Sequence, residues 1–206
     1  GCVNQTVRRR ARQRNSRPEA RTATMSPQDP LEYLSSLQGM GMRLDLGSVK
    51  RLLRRLGNPQ DRFRSVIVGG TNGKGSIAAL IASVLSSGGY RVGLYTSPHL
   101  VDVRERIRVG GRLIPGGDLR SLAGEVRRVV REDVTYFEFT TAIAFLHFFL
   151  AGVDVAVLEV GLGGRLDATN VVHPEAAVIS NISLEHRAYL GRRLTDITRE
   201  KAGIIK

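Results

Sequence analysis

Residues 70–76 read Gly-Thr-Asn-Gly-Lys-Gly-Ser, a string whose parts suit the holding of a polyphosphate. Glycines at 70, 73 and 75 let backbone N–H groups approach oxyanions, a following helix would add its positive N-terminal end, and Lys74 would reach the terminal phosphates. The string departs from the ordinary loop G-x-x-x-x-G-K-[ST]. Val68 stands six places before Lys74, Gly75 follows the lysine, and Ser76 comes one place late. A glycine-rich turn can look the same, so the flanks decide. An apolar, β-branched run, Arg64 to Gly69, precedes the loop, and Ile77, Leu80, Ile81, Val84 and Leu85 follow it at helical spacing until Gly88-Gly89. Strand, loop, helix is the context a phosphate loop requires. Thr71, Asn72, Gly73, Lys74, Gly75 and Ser76 are therefore the candidate nucleotide-binding residues, with ATP as the expected ligand.

Three further loops carry chemistry. Thr96-Ser97-Pro98-His99 follows a second strand and offers hydroxyls to a phosphate or a hard cation such as magnesium. Glu159 ends a run of valines and leucines, where an unpaired carboxylate is costly to bury and needs a cation. A metal ion would serve, and so would a salt bridge to Arg165 or another arginine. His186 follows another strand, either as a structural histidine or as a ligand.

The elements that must position these loops alternate. Leu31, Leu34 and Leu37, then Val49, Leu52, Leu53 and Leu56, give two short amphipathic helices. Arg91 to Tyr95 reads as a strand, Arg104 to Ile114 as a hairpin around Gly110-Gly111, and Asp118 to Arg131 as a helix. Phe139 to Leu150 is almost wholly apolar but too short to span a bilayer, so a buried helix is expected. Val153 to Val160 and Ala176 to Ile182 are further buried strands, and Arg199 to Ile205 belongs to a last helix. The pattern predicts an α/β fold with a mostly parallel, doubly wound sheet, its ligands beyond the carboxyl ends of the strands. The loops opening at Gly69, Thr96, Gly161 and Ser183 all fall there.

The 206 residues carry a net charge of +12, which would suggest a nucleic-acid or membrane partner were it evenly spread. It is not. Residues 1–25 hold seven arginines (Arg8, Arg9, Arg10, Arg12, Arg14, Arg17 and Arg21) against one acid, Glu19, and so half of the net charge. That segment has too few apolar residues to offset the entropy of ordering and is expected to be disordered. An RNA- or membrane-binding arm, a targeting peptide, or an extension upstream of a start at Met25 are its readings. Residues 26–206 form the folded domain. The lone Cys2 has no internal disulfide partner.

The chain resembles folylpolyglutamate synthase and dihydrofolate synthase, members of the Mur ligase superfamily. The resemblance rests on VGGTNGKGS (68–76), YRVGLYTSPHLVDVRERI (90–107), TYFEFTTAIAFL (135–146), VAVLEVGLGGRLDATNVV (155–172) and REKAGIIK (199–206), with the late serine of the loop as its diagnostic part. It implies an N-terminal ATP-binding domain that ends before the family's C-terminal domain. The implied reaction is ATP-dependent ligation of L-glutamate to tetrahydrofolate or dihydropteroate through an acyl phosphate, in a monomeric cytoplasmic enzyme with no membrane or nucleic-acid partner. An ATP-binding fragment without ligase activity, or another Mur ligase, are the alternatives. The resemblance further implies that Ser97 and Glu159 ligate one Mg2+ and His186 a second. Lys74, Lys201 and His186 would be catalytic, with Lys201 the lysine that the family carbamylates. Ser97, Pro98, His99, Phe137, Glu138, Arg165, Leu166 and Asp167 would contact the pterin substrate, Phe137 by stacking or simply as core. Where the family commonly has Asp-His-Thr, this chain has Glu185-His186-Arg187.

Overall fold

The computed structural model describes residues 29–39, 41 and 43–206. The expected disordered tail, with Cys2, lies outside them.

Two short amphipathic helices come first, α1 (Pro30–Ser36) and α2 (Gly47–Arg55), the latter burying Val49, Leu52 and Leu53. The phosphate-loop unit follows as strand β1 (Arg64–Gly69) and helix α3 (Lys74–Ser87). Strand β2 (Val92–Tyr95), the hairpin β3 (Ile107–Val109) and β4 (Arg112–Leu113), and helix α4 (Gly116–Val129) come next. Helix α5 (Tyr136–Leu150), strands β5 (Val155–Glu159) and β6 (Ala176–Ile179), and helices α6 (Arg187–Leu190) and α7 (Leu194–Ala202) complete the chain.

The strands form one sheet in the order β4-β3-β2-β5-β1-β6. β2, β5, β1 and β6 are parallel neighbours, and β3 and β4 join antiparallel at one edge. Parallel pairing brings the carboxyl ends of β1, β2, β5 and β6 to one side. The register sets Val68 beside Glu159, so the phosphate loop and the buried acid leave the sheet together. Strand residues alternate between two apolar layers: Ile67 and Leu158 face α1, α2, α4 and α5, while Val68 and Val157 face α3. The doubly wound expectation is met.

Some local expectations are not. On α3 it is Ala78 and Ala82 that are buried, while Leu80 and Val84 are 67% and 71% exposed. The helix lies against the sheet on its small-residue face, with Ile77, Ile81 and Leu85 packing at the flanks. Helix α5 starts three residues before the apolar run, because Thr135 and Glu138 form a capping box. Residues 104–106, expected in the hairpin, instead belong to a 3-10 turn, Val103–Arg106, capped by Asp102 and Glu105. The last helix runs from Leu194 to Ala202, so the Arg199 segment ends it, and α6 was not anticipated.

Candidate active site

Strand β1 ends at Gly69, and the chain turns at Gly70 with φ +129. A Cβ at Gly70 would lie 2.0 Å from Ser180 Oγ and 2.9 Å from the Ser180 backbone nitrogen, so only glycine lets the loop press on the strand beside it. The loop after β6 then braces the phosphate loop. Thr71 N–H donates to Asn181 O at 2.9 Å, Asn72 N–H to Asn181 Oδ1 at 3.1 Å, and Ser183 N–H to Thr71 Oγ1 at 3.1 Å. The N–H groups of Thr71 and Asn72 are thus engaged within the protein. Gly73 (φ +77) opens α3 without a side-chain cap. The first-turn N–H groups of an uncapped helix are free to receive an anion. Lys74 Nζ is held at 3.0 Å by Thr71 O, at the mouth of that turn.

Glu159 is buried and lies against the same turn: a Cβ added to Gly75 would meet its two carboxylate oxygens at 3.3 and 3.4 Å. Ser97 donates its backbone N–H to Glu159 Oε2 at 2.9 Å. Among the described residues Glu159 makes no salt bridge, and Arg165 pairs instead with Glu200 at 2.8 Å. Burial pushes the Glu159 pKa up, against the Ser97 N–H and the charges of Lys74 and Arg106. A buried carboxylate bonded to the backbone of a serine, with no ion pair among the described residues, fits an oxygen-liganded metal such as Mg2+. Among the described residues no three His, Cys, Asp or Glu side chains gather as a metal cluster. His186 stands apart from Glu159, left-handed at φ 44, with Nε2 3.9 Å from Glu185 Oε2.

Lys201 is only 1% exposed. Its Nζ donates to Gly70 O at 2.7 Å and to Glu185 Oε1 at 2.5 Å, so it ties α7 and the loop after β6 to the base of the phosphate loop. Burial pushes the Glu185 pKa up, but the hydrogen bond and charge of Lys201, with help from Thr71 and Lys74, outweigh it and leave the value below the ordinary 4.5. A lowered carboxylate stabilises the fold fully above its unfolded pKa and loses that contribution as pH falls through the folded value. Glu185→Gln should therefore cost about 1–2 kcal/mol at pH 6. In urea denaturation the gap to the parent chain should close as the pH drops below 4.5.

Beside this cluster opens a cavity of about 640 Å3, a size suited to a small molecule. Of the sequence-derived substrate residues, Ser97, Pro98, Phe137, Glu138, Leu166 and Asp167 line it, as does His186. Phe137 lies over Gly161, where an added Cβ would be 2.7 Å from the ring, and its other neighbour is Tyr95 at 5.8 Å. Two of the acids are already engaged. Glu138 accepts Thr135 N–H at 2.7 Å and the Ser48 hydroxyl, and Asp167 accepts four donors from its own loop. His99 and Arg165 do not line the cavity. Arg165 turns outward to Glu200, and His99 Nδ1 accepts from Arg106 Nε at 2.8 Å.

Arg106 is the residue that sequence reasoning missed. It lines the cavity at 8% exposure, with its guanidinium over Tyr136 at 5.4 Å. Beyond the bond to His99 it has no hydrogen bond and no salt bridge among the described residues. Its unused donors open onto the cavity, where a ligand oxygen or water can accept them. Its one sequence signal is its place between Arg104 and Arg108, a spacing that reads equally well as a solvated strand face.

Residues 68–206 match the family model described as Mur ligase middle domain. The folylpolyglutamate synthase of Lacticaseibacillus casei is 40% identical over 190 residues, covering 88% of this chain and 44% of that protein. Among solved structures, Escherichia coli FolC in complex with DHPP and ADP superposes with a TM-score of 0.80 at 41% identity, over 86% of this chain and 44% of that one. An FPGS–AMPPCP–folate complex superposes with a TM-score of 0.82 at 42% identity, over 86% and 45%. The chain thus spans less than half the length of the relatives it matches. With the phosphate loop, the Ser97–Glu159 pair and the parallel sheet all in place, the chain belongs to the Mur ligase family.

Proposed function

We propose that the chain supplies the ATP- and pterin-binding part of a ligase that joins L-glutamate to the carboxylate of dihydropteroate or tetrahydrofolate. One observation carries this reading: Ser97 belongs both to the cavity wall and, through its bond to Glu159, to the phosphate-loop cluster, so a carboxylate in the cavity would face the terminal phosphate of a nucleotide in the loop. The names of the relatives support it, since they were solved with ADP or AMPPCP and with DHPP or folate.

In this reading the α3 N-terminus and Lys74 hold the triphosphate. Mg2+ bound by Ser97 and Glu159 would neutralise charge on the phosphate oxygens. Phe137 and the Gly161–Asp167 loop wall the pterin, and Arg106 offers its unused N–H groups to a substrate oxygen. The substrate carboxylate takes the γ-phosphoryl group, ADP leaves, and the glutamate amine then displaces phosphate from the acyl phosphate. Lys201 acts as a positioning residue in the arrangement described above. A carbamate there would set negative charge against the Gly70 carbonyl and Glu185, so that modification would require Glu185 to turn away.

The test is glutamate ligation with Mg–ATP and either pterin substrate, read by mass spectrometry of the product. Ligation that is lost in Lys74→Ala supports the reading. Nucleotide binding with no pterin-dependent turnover reduces it to a nucleotide-binding module. Arg106→Leu should weaken dihydropteroate binding about tenfold, with ATP-analogue affinity affected far less; pterin fluorescence titration beside nucleotide calorimetry checks this.

A further inference from the structure

A second cavity, of about 570 Å3, lies at the opposite end of the sheet from the phosphate loop. Its walls share no residue with the first site: Arg91 ahead of β2, Val109 and Arg112 of the β3–β4 hairpin, Asp118 in the first turn of α4, Leu122 one turn on, and His147 in the last turn of α5.

Three features of these walls point to an absent ligand. His147 is 9% exposed on a nearly apolar helix, its neighbour in ring contact is Phe148 at 6.4 Å, and its imidazole makes no hydrogen bond among the described residues. Its ring nitrogens are not sealed in the core but open to the cavity, where they can meet a ligand that enters it. Arg91 and Arg112 are exposed and in no salt bridge among the described residues; Arg91 bonds through its backbone, its N–H donating to Asp154 Oδ2 at 2.7 Å and its carbonyl accepting Asp154 N–H at 2.8 Å. Asp118 is the one carboxylate of the lining, so positive charge predominates. Helix α4 also begins here without a side-chain cap, adding free N–H groups and the favourable end of its dipole. Burial pushes the His147 pKa down, Asp118 pulls it up and Arg91 pushes it down again, which leaves the ring neutral at pH 7 with one donor and one acceptor.

From this cluster we infer that the second cavity is a binding site for a small organic anion with an apolar body, a carboxylate or a phosphate monoester. Arg91 and Arg112 would hold the anionic group, His147 would donate to it from the floor, and Val109 and Leu122 would pack on the apolar part. Paired guanidinium groups suit the two coplanar oxygens of such a group. The site is distinct from the ATP and pterin site: the Thr135–Glu138 end of α5 lines one cavity and its His147–Ala151 end the other.

The experiment is an NMR titration of the 206-residue chain, reading the imidazole resonances of His147, with phenyl phosphate, benzoate, benzyl alcohol and inorganic phosphate as separate probes. A saturable shift with Kd below about 1 mM is expected for at least one organic anion, with benzyl alcohol and inorganic phosphate at least about tenfold weaker. Preference for phenyl phosphate would mark the natural ligand as a phosphate monoester, and preference for benzoate as a carboxylate. The double variant Arg91→Gln, Arg112→Gln changes exposed positions only, and should keep the melting temperature while losing about tenfold or more in affinity. No saturable shift up to about 10 mM of either organic anion, or an unweakened double variant, would overturn the inference.

Discussion

Asp167→Ala is expected to lower the stability of the chain by about 3–5 kcal/mol in urea denaturation, the largest loss at any residue lining the cavity beside the phosphate loop. The Asp167 carboxylate is buried and accepts four hydrogen bonds: from Gly161 N–H at 3.0 Å, Leu162 N–H at 2.9 Å, Thr169 N–H at 2.9 Å and Thr169 Oγ1 at 2.5 Å. Two oxygens offer roughly four lone-pair positions, so the loop saturates the acid. Truncation leaves three backbone N–H groups and a hydroxyl without their acceptor, at about 1–3 kcal/mol for each group that stays dry. The hydroxyl can rotate and water can reach part of the loop from the cavity, which holds the sum below the simple total. Asp167→Asn should fall between: one oxygen keeps its pair of donors, while the amide NH2 opposes the other pair. Burial also pushes the Asp167 pKa up, against the pull of those donors, which marks how fully the site depends on them to keep the anion. Equal stability of the Ala variant and the parent would mean that the 161–170 loop is held by something other than this carboxylate.

Asp167 also illustrates what the sequence discloses. Its position in the GLGGRLD string marks a functional loop, but whether the carboxylate faces a substrate or its own backbone depends on where the N–H groups of Gly161 and Leu162 turn. Glu138 is a milder case. Thr135 and Glu138 stand at capping-box spacing, a local signal that could have assigned the glutamate to the start of α5 before any substrate role. The parallel sheet and its loops were legible, because β-branched runs and the glycine string are local features whose placement follows from topology. The buried face of α3 was not. Leu80 and Val84 share the helical period of the flanking Ile77, Ile81 and Leu85, and only the close approach of Ala78 and Ala82 to the sheet decides which side turns outward. Arg106 was equally hidden, since its burial depends on His99 and Tyr136, which come from separate segments.

Lys74→Ala should weaken binding of an Mg–ATP analogue about 30- to 100-fold by isothermal titration calorimetry, with little change in melting temperature. The two readouts separate because of what Lys74 does in the unliganded fold. Among the described residues its Nζ makes a single hydrogen bond, to Thr71 O, at a half-buried position, whereas the loop itself is pinned by Asn181, by Ser183 and by the buried Lys201 beneath Gly70. Removing Lys74 therefore leaves the frame standing. What is lost is the cation of the loop: a hydrogen bond to a charged group is worth about 1.5–3 kcal/mol, and the triphosphate has no nearby replacement among the described residues. Lys201 cannot substitute, since its Nζ is occupied by Gly70 O and Glu185 on the far side of the loop. Loss of Lys74 also removes a charge that opposes protonation of Glu159, so the pKa of that acid should rise further and its readiness for Mg2+ should fall at a given pH. An analogue affinity within threefold of the parent would place the phosphates elsewhere, and with them the carboxylate chemistry proposed for the adjoining cavity.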